Sequence, residues 1–144
     1  MTLEFPQFDS KTAAGMLGPV KMTGLPEFLA IEHIDIGPGS LHARVGVRDD
    51  LMTPFKNLHG GVLAALCDHV LGTVLYPVIP RGAWAATTEF KINYLAAVTE
   101  GFLDARAQII SLTKRTGVVR IDVENADRLV CAPQGTVLVV QPRA

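Results

Sequence analysis

The segment from His59 to Asp68 combines residue types that could act on a carbonyl compound. Gly60 and Gly61 directly precede an apolar run. The first N–H groups of a helix are unpaired and lie at the positive end of its dipole, and glycine lets a ligand approach the backbone closely. The N–H of Gly60 could therefore bind a carbonyl oxygen that gains negative charge. Taken alone, the glycine pair could equally relieve crowding where the helix meets a sheet.

Asp68 is the only acidic residue between Leu58 and Pro77. A carboxylate on a buried helix costs free energy unless it is paired or used, and burial would raise its pKa toward the range of a general base. A structural acid bonded to a neighbour such as His69 explains the same pattern. We expect His69 itself to point to a different side of the helix and to be a core or interface histidine.

The spacing within this segment has a consequence for assembly. Gly60 and Asp68 are eight positions apart, which is roughly 12 Å along one helix at about 1.5 Å per residue. An oxyanion donor and a base must both lie within a few ångströms of one carbonyl. Two antiparallel helices across a two-fold axis meet this requirement. If both residues act, we expect at least a homodimer with two equivalent sites at the interface.

The element that positions these residues is a long apolar helix. The sequence predicts it over Leu58–Tyr76, with Asn57 as N-cap and with Pro77 and Pro80 ending it. Because it is apolar nearly all round, it must be wrapped by other elements. Asp68 near the middle of this stretch argues against a membrane span.

Most of the rest of the chain is predicted to be strand. A short helix near Asp9–Met16, capped by Asp9 or Ser10, falls in a turn-rich and variable N-terminal segment, residues 1–25. The predicted strands are a hairpin of Phe28–Ile36 and Leu41–Val47, then Ala83–Leu95, Phe102–Leu112, Val118–Glu124 and Leu129–Val140 with Pro133 at a bulge or edge. Short turns at 99–101, 114–117 and 125–127 predict antiparallel neighbours. We expect one α+β domain over residues 1–144, with a curved antiparallel sheet of about six strands around one central helix.

Charge and composition limit the partners that we expect for this chain. The net charge is −1 and no basic run exists, so we expect no nucleic-acid binding. Only 19% of residues are charged and 49% are hydrophobic, which suggests apolar surface covered by a second subunit or a ligand. Cys67 and Cys131 are predicted to be reduced thiols of a cytoplasmic protein without a signal peptide or a metal site. His33 and His42 fall in strands and belong to no visible site.

Two strings in the sequence, NLHGGVLAALCDHVLG and ATTEFKINYL, occur together at a fixed separation. They resemble the hotdog-fold acyl-CoA thioesterases of the phenylacetate-degradation (PaaI-like) type, and the match covers about Leu51 to Val140. The matching residues are His59, Gly60, Gly61, Asp68, Thr87, Glu89, Asn93 and Tyr94. The resemblance implies the hotdog fold, in which a sheet wraps a long helix.

The resemblance also implies an activity, the hydrolysis of an acyl-CoA or similar thioester to the free acid and CoA. In this interpretation the Gly60 N–H polarises the carbonyl, Asp68 is general base or nucleophile, and Thr87 helps to hold the water. The implied partner is the small-molecule acyl-CoA, with no cofactor beyond the CoA of the substrate, and the implied assembly is a dimer or a tetramer of two dimers.

The residues around the glycine pair are candidates for substrate binding. They are His59, Gly61, Thr53 and Asn57. The family usually has Asn six positions before the histidine and Gly three before it, where this chain has Thr53 and Lys56. Neither Thr53 nor Asn57 is a certain replacement for that Asn. Two alternatives stay open, an acyl-thioester hydratase or dehydratase and a non-catalytic binder of acyl-CoA or another apolar ligand.

Overall fold

The fold is built around one central helix. The computed structural model describes residues 3–143, and in it this helix spans Gly60–Thr73, starting two residues later than predicted. Its N-cap is His59 rather than Asn57. The ring Nδ1 of His59 accepts the N–H of Gly61 at 2.8 Å, whereas the Asn57 side chain is bound to the hydroxyl of Thr53.

The remaining elements of the described chain are short helices and antiparallel strands. The helices are α1 (Ser10–Met16), α2 (Leu25–Phe28) and α3 (Gly60–Thr73), with 3₁₀ turns at Asp49–Leu51 and Tyr76–Val78. The strands are β1 (Gly18–Pro19), β2 (Glu32–Gly37), β3 (Ser40–Gly46), β4 (Trp84–Lys91), β5 (Phe102–Leu112), β6 (Thr116–Asn125), β7 (Arg128–Cys131) and β8 (Gln134–Val140).

These strands form one antiparallel sheet in the order β1-β2-β3-β5-β6-β8-β4, with β7 paired to β6. The predicted architecture is confirmed, although the described residues contain eight strands rather than about six. The two-residue β1 was not predicted. The predicted strand Leu129–Val140 divides into β7 and β8 at residues 132–133, where Pro133 has no N–H to give to a ladder.

The prediction that the strands flanking residues 99–101 are neighbours was wrong. Strand β4 ends at Lys91 rather than Leu95 and pairs with β8 at one edge, while β5 pairs with β3 and β6. The connection is therefore residues 92–101, which is long enough to pass the start of α3. There the N–H of Leu58 donates to the Val98 carbonyl at 2.7 Å.

The N-terminal half also differs in one place. Phe28 was expected in a strand but ends α2, because Pro26 at the start of this turn favours helix. The hairpin of β2 and β3 follows with the predicted turn. Helix α1 has Asp9 as its cap, as expected, and the Asp9 carboxylate accepts the N–H groups of Lys11 and Thr12 at 3.0 and 3.1 Å.

The core lies between α3 and the concave face of the sheet. The buried residues of the helix are Leu63, Leu66, Cys67, Val70 and Leu71. The helical run Gly60–Val78 is long and apolar enough to cross a membrane by length and composition alone, but it is this core helix of the fold. We expected this helix to be covered on all sides. In the single chain one side is covered and the other is not, because Gly61 and Asp68 are exposed.

Candidate active site

The first functional element is the N-terminus of α3. His59 is extended, with φ −64° and ψ 131°, and its Nδ1 accepts from Gly61, so the neutral ring carries its proton on Nε2. The adjacent N–H of Gly60 meets no acceptor within residues 3–143. Local folding therefore leaves one backbone donor available at the positive end of the helix dipole.

Tyr94 packs directly on this donor. Its hydroxyl donates to the Gly60 carbonyl at 2.9 Å, and a Cβ built on Gly60 would lie 3.2 Å from the tyrosine ring. Burial raises the pKa of Tyr94, which keeps its hydroxyl protonated as a donor. The sequence motif includes Tyr94 but assigns it no role. The structure shows that Tyr94 holds the peptide between Gly60 and Gly61, which directly follows the free N–H of Gly60.

The second functional element is a cavity of about 820 Å³ that contains both Asp68 and Thr87 on its wall. Asp68 comes from α3, and Thr87 comes from β4 just before a bulge in the pairing of β4 with β8. The structure thus brings together two of the predicted catalytic residues. Asp68 is exposed in the single chain, so its predicted burial is not achieved by this chain alone.

Residues of the N-terminal segment form much of the wall of this cavity. Met16, Leu17 and Met22 line it together with Val20. Leu17 and Met22 are 49% and 60% exposed, which leaves the apolar cavity open. Several residues of the predicted variable segment therefore contribute directly to the shape of the space next to Asp68.

The two functional elements are separate within one chain. Gly60 and Gly61 do not line the cavity that contains Asp68 and Thr87. Gly60 and Asp68 lie on one uninterrupted helix, so the distance of about 12 Å expected from the helical rise applies. Each chain presents an oxyanion-type donor at one place and a carboxylate with a hydroxyl at another.

The loop before α3 brings the two remaining candidates together. The Thr53 hydroxyl donates to Oδ1 of Asn57 at 2.7 Å, and the N–H of Thr53 donates to the Asn57 carbonyl at 2.7 Å. Lys56 has φ +67°, a left-handed conformation that favours glycine, which is the residue usual at this position in the resembling family. Phe55 at the tip is 89% exposed.

A histidine pair on the cavity wall was missed from the sequence. Nε2 of His33 and Nε2 of His69 are 2.9 Å apart, and both residues line the same cavity as Asp68. The expectation that His33 belongs to no cluster was wrong. His69 follows Asp68 on α3, and the cavity is wide enough for both residues to line it. No sequence signal links them, because strand β2 and helix α3 meet only in the folded chain. His42 lies in β3 as expected and is bound to Asp104 at 2.6 Å.

An antiparallel sheet packed on one long helix, with glycines at the helix start and a carboxylate along it, defines the hotdog class of thioester hydrolases. Residues 55–132 match the model of the Thioesterase superfamily, and the chain belongs to this family.

Individual relatives agree with this assignment. The chain is 28% identical over 121 residues to 1,4-dihydroxy-2-naphthoyl-CoA hydrolase of Listeria monocytogenes, covering 83% of this chain and 98% of that protein. Its fold is similar to that of thioesterase HI1161 from Haemophilus influenzae, with a TM-score of 0.80, 24% identity and coverage of 98% and 93%. It is also similar to E. coli PaaI from the phenylacetic acid degradation operon, with a TM-score of 0.75, 24% identity and coverage of 81% and 83%. The protein is a thioester hydrolase of the Thioesterase superfamily.

Proposed function

We propose that the protein hydrolyses an acyl-CoA thioester to the free acid and CoA at a site shared by two chains. The observation that carries the proposal is the meeting of Asp68 and Thr87 on one cavity wall. The N–H of Gly60 at the start of the same helix has no acceptor within residues 3–143. These are a base and a water-holding hydroxyl on one side, and an oxyanion donor on the other.

The proposed site is formed by two copies of the chain. Because one helix separates Gly60 and Asp68 by about 12 Å, we assign Gly60 of one copy and Asp68 with Thr87 of the other to each site. Two features support a partner on this side. The face of α3 that carries Asp68 is exposed, and β4 is an edge strand with Trp84 53% exposed. A dimer covers both features, and we do not assign a tetramer.

In the proposed reaction, the carboxylate of Asp68 takes a proton from a water held by Thr87. The resulting hydroxide attacks the thioester carbonyl carbon, and the oxygen that becomes negative receives the N–H of Gly60. The C–S bond then breaks, and the thiolate of CoA takes the proton back from the Asp68 carboxyl. Direct attack by Asp68 to form a mixed anhydride is the second route. After a single turnover in ¹⁸O-labelled water, label in the Asp68 carboxylate identifies the anhydride route with attack of water on the aspartyl carbonyl, because general-base hydrolysis places label only in the released acid.

The predicted substrate-binding residues lie at the start of α3 or in the loop before it. His59 holds the first turn through Gly61, so these two residues fix the direction of the Gly60 N–H. Thr53 and Asn57 bind one another in the preceding loop, and we assign them to the edge of the thioester site. No cofactor or metal takes part in this scheme.

The proposal is tested with a panel of acyl-CoAs and a colorimetric readout of released thiol. Asp68→Asn should lower kcat by about 10²- to 10⁴-fold, the usual contribution of a general base, while the oligomeric state is unchanged. Asp122→Asn is the matched control, since Asp122 is exposed on β6 outside the cavity with Asp68. Binding of CoA esters without turnover, for every chain length and with the protein folded, would contradict the proposal.

A further inference from the structure

Two histidines that the proposed reaction does not use lie side by side on the cavity wall. Nε2 of His33 is 2.9 Å from Nε2 of His69, and Nδ1 of His33 is 2.8 Å from the carbonyl oxygen of Met16. His33 is 6% exposed, and His69 is half-buried. The pair is therefore held between β2, α3 and the end of α1, and it faces the same space as Asp68.

The hydrogen bonds of this pair fix where its protons are. A carbonyl oxygen only accepts, so Nδ1 of His33 carries a proton toward Met16. A neutral His33 then has an unprotonated Nε2, which must accept, and Nε2–H of His69 must donate to it. A neutral His69 that donates through Nε2 has an unprotonated Nδ1. The series of hydrogen bonds that starts at the Met16 carbonyl and passes through His33 therefore ends at Nδ1 of His69, which is a hydrogen-bond acceptor.

Both rings are neutral near pH 7. Burial is the main cause that lowers the pKa of His33. Burial, followed by the neighbouring His33, lowers the pKa of His69 to about 4. The carboxylate of Asp68 and the Met16 carbonyl act in the opposite direction on these two rings, but burial is the largest effect in each case.

The acceptor at the end of this arrangement is reachable by a ligand. Within residues 3–143, every buried side-chain nitrogen or oxygen has a hydrogen-bond partner. Nδ1 of His69 has none in that part of the chain, since its only hydrogen bond is made through Nε2, so this atom is not buried. More of the cavity wall is apolar than polar. A ligand hydroxyl that enters this cavity loses water and needs an acceptor.

We propose that His69 is a specificity-determining residue, whose Nδ1 accepts a hydrogen bond from a hydroxyl group on the acyl part of the substrate. His33 is the positioning residue, because its bond to Met16 fixes the tautomer of His69. The inference rests on the proposed function, since it concerns the acyl group of the thioester. It assigns recognition of the hydroxyl group of a hydroxyacyl or hydroxyaryl thioester to two histidines outside the reacting centre.

The kinetic test compares matched esters that differ by one hydroxyl. The probes are benzoyl-CoA with its 2-, 3- and 4-hydroxy derivatives, and octanoyl-CoA with 3-hydroxyoctanoyl-CoA. We expect kcat/KM to favour at least one hydroxylated ester over its parent by about tenfold. In His69→Gln this ratio should fall to about one, because the glutamine amide can still donate to His33 but has no acceptor where Nδ1 was. His42→Gln, a histidine on the outer face of the sheet, should keep both the activity and the ratio.

A spectroscopic test separates this inference from the hydrolysis itself. Two-bond ¹H–¹⁵N correlation spectra of the folded protein should show His69 with its proton on Nε2, and His33→Phe should abolish this single tautomer. In the non-hydrolysing Asp68→Asn background, a hydroxylated ester should shift Nδ1 of His69 and its parent ester should not. If no ester is hydrolysed but the Nδ1 shift of His69 is still seen, the proposed function is overturned and the inference about His69 is not.

Three results would overturn the inference about His69. The first is a proton found on Nδ1 of His69. The second is that hydroxylated and parent esters shift the Nδ1 resonance equally, or that neither shifts it. The third is that the enzyme hydrolyses the esters with the same kcat/KM preference in wild type and in His69→Gln.

Discussion

Hybrid dimers test whether Gly60 of one chain works with Asp68 of another. The first variant, Gly60→Pro, removes the N–H and also adds a Cβ close to the Tyr94 ring. Proline is well accepted at the first position of a helix, and His59 before it already has the extended conformation that proline requires, with ψ 131°. The second variant, Asp68→Asn, removes the carboxylate charge and keeps the side-chain shape. Each homodimer should be inactive.

The expected magnitudes follow from the geometry of the helix. Loss of one oxyanion donor costs about 10²- to 10³-fold in kcat, and loss of the base costs about 10²- to 10⁴-fold. At about 12 Å apart on one helix, the two groups cannot serve the same carbonyl. A hybrid of Gly60→Pro with Asp68→Asn therefore contains one site with both substitutions and one site with neither. It should keep about half of the wild-type activity.

The assay uses co-expressed subunits with two different affinity tags, so that only hybrids are purified, and measures thiol release from an acyl-CoA. The reciprocal hybrid pairs a wild-type subunit with one that carries both substitutions. Each of its sites then has one lesion, so its activity should be near background. If each chain contained a complete site, the two hybrids would exchange their results, and this outcome would refute the reasoning. Gly60→Ala controls for the contact with Tyr94, because it adds the same Cβ at 3.2 Å from the ring but keeps the N–H.

Three further predictions concern the residues around these functional elements. His59→Ala should lower the free energy of unfolding by about 1 kcal/mol in urea titrations, because the cap on the Gly61 N–H is lost. Tyr94→Phe should lower kcat more than it raises KM in steady-state kinetics, because the hydroxyl that holds the first peptide of α3 at 2.9 Å is removed; a change in KM alone would contradict this. Burial lowers the pKa of His33, and that of His69 to about 4, so the unfolded chain binds more protons below pH 6.5. The free energy of unfolding should therefore fall as the pH is lowered from about 6.5 toward 4, and it should fall less in His69→Gln. If His69→Gln has the same pH profile of stability as the wild type, the lowered pKa of His69 is contradicted.

Elements with a strong local pattern could be predicted from the sequence. Strand β5 was predicted with both of its ends correct, since apolar and polar residues alternate along it. The central helix was predicted from its apolar run, but its first residue was placed two positions too early. The cap explains the difference. Asn57 is a common capping residue, yet its side chain is bound by Thr53, and the less usual His59 caps the helix through its ring.

Contacts between residues far apart in the chain could not be predicted in this way. His33 and His69 are 36 positions apart, and Tyr94 and Gly60 are 34 positions apart. Each pair meets because of how the sheet folds over α3, and no local propensity contains this information. The crossing of residues 92–101 past the start of the helix, which brings Tyr94 to its place, depends on β4 pairing with β8 rather than with β5.

The position of Tyr94 explains why a single backbone N–H at this helix start could be used as a donor. The carbonyl of Gly60 accepts from the tyrosine hydroxyl, and the next N–H, of Gly61, is held by His59. Both hydrogen bonds hold the peptide between Gly60 and Gly61, so the peptide next to the Gly60 N–H is fixed, while that N–H meets no acceptor within residues 3–143. A donor that is held in place before the substrate arrives need not reorganise when charge develops on the carbonyl oxygen. A Cβ on Gly60 would lie 3.2 Å from the Tyr94 ring, so a glycine at this position admits the tyrosine that holds the first turn, which relief of helix–sheet crowding alone would not require.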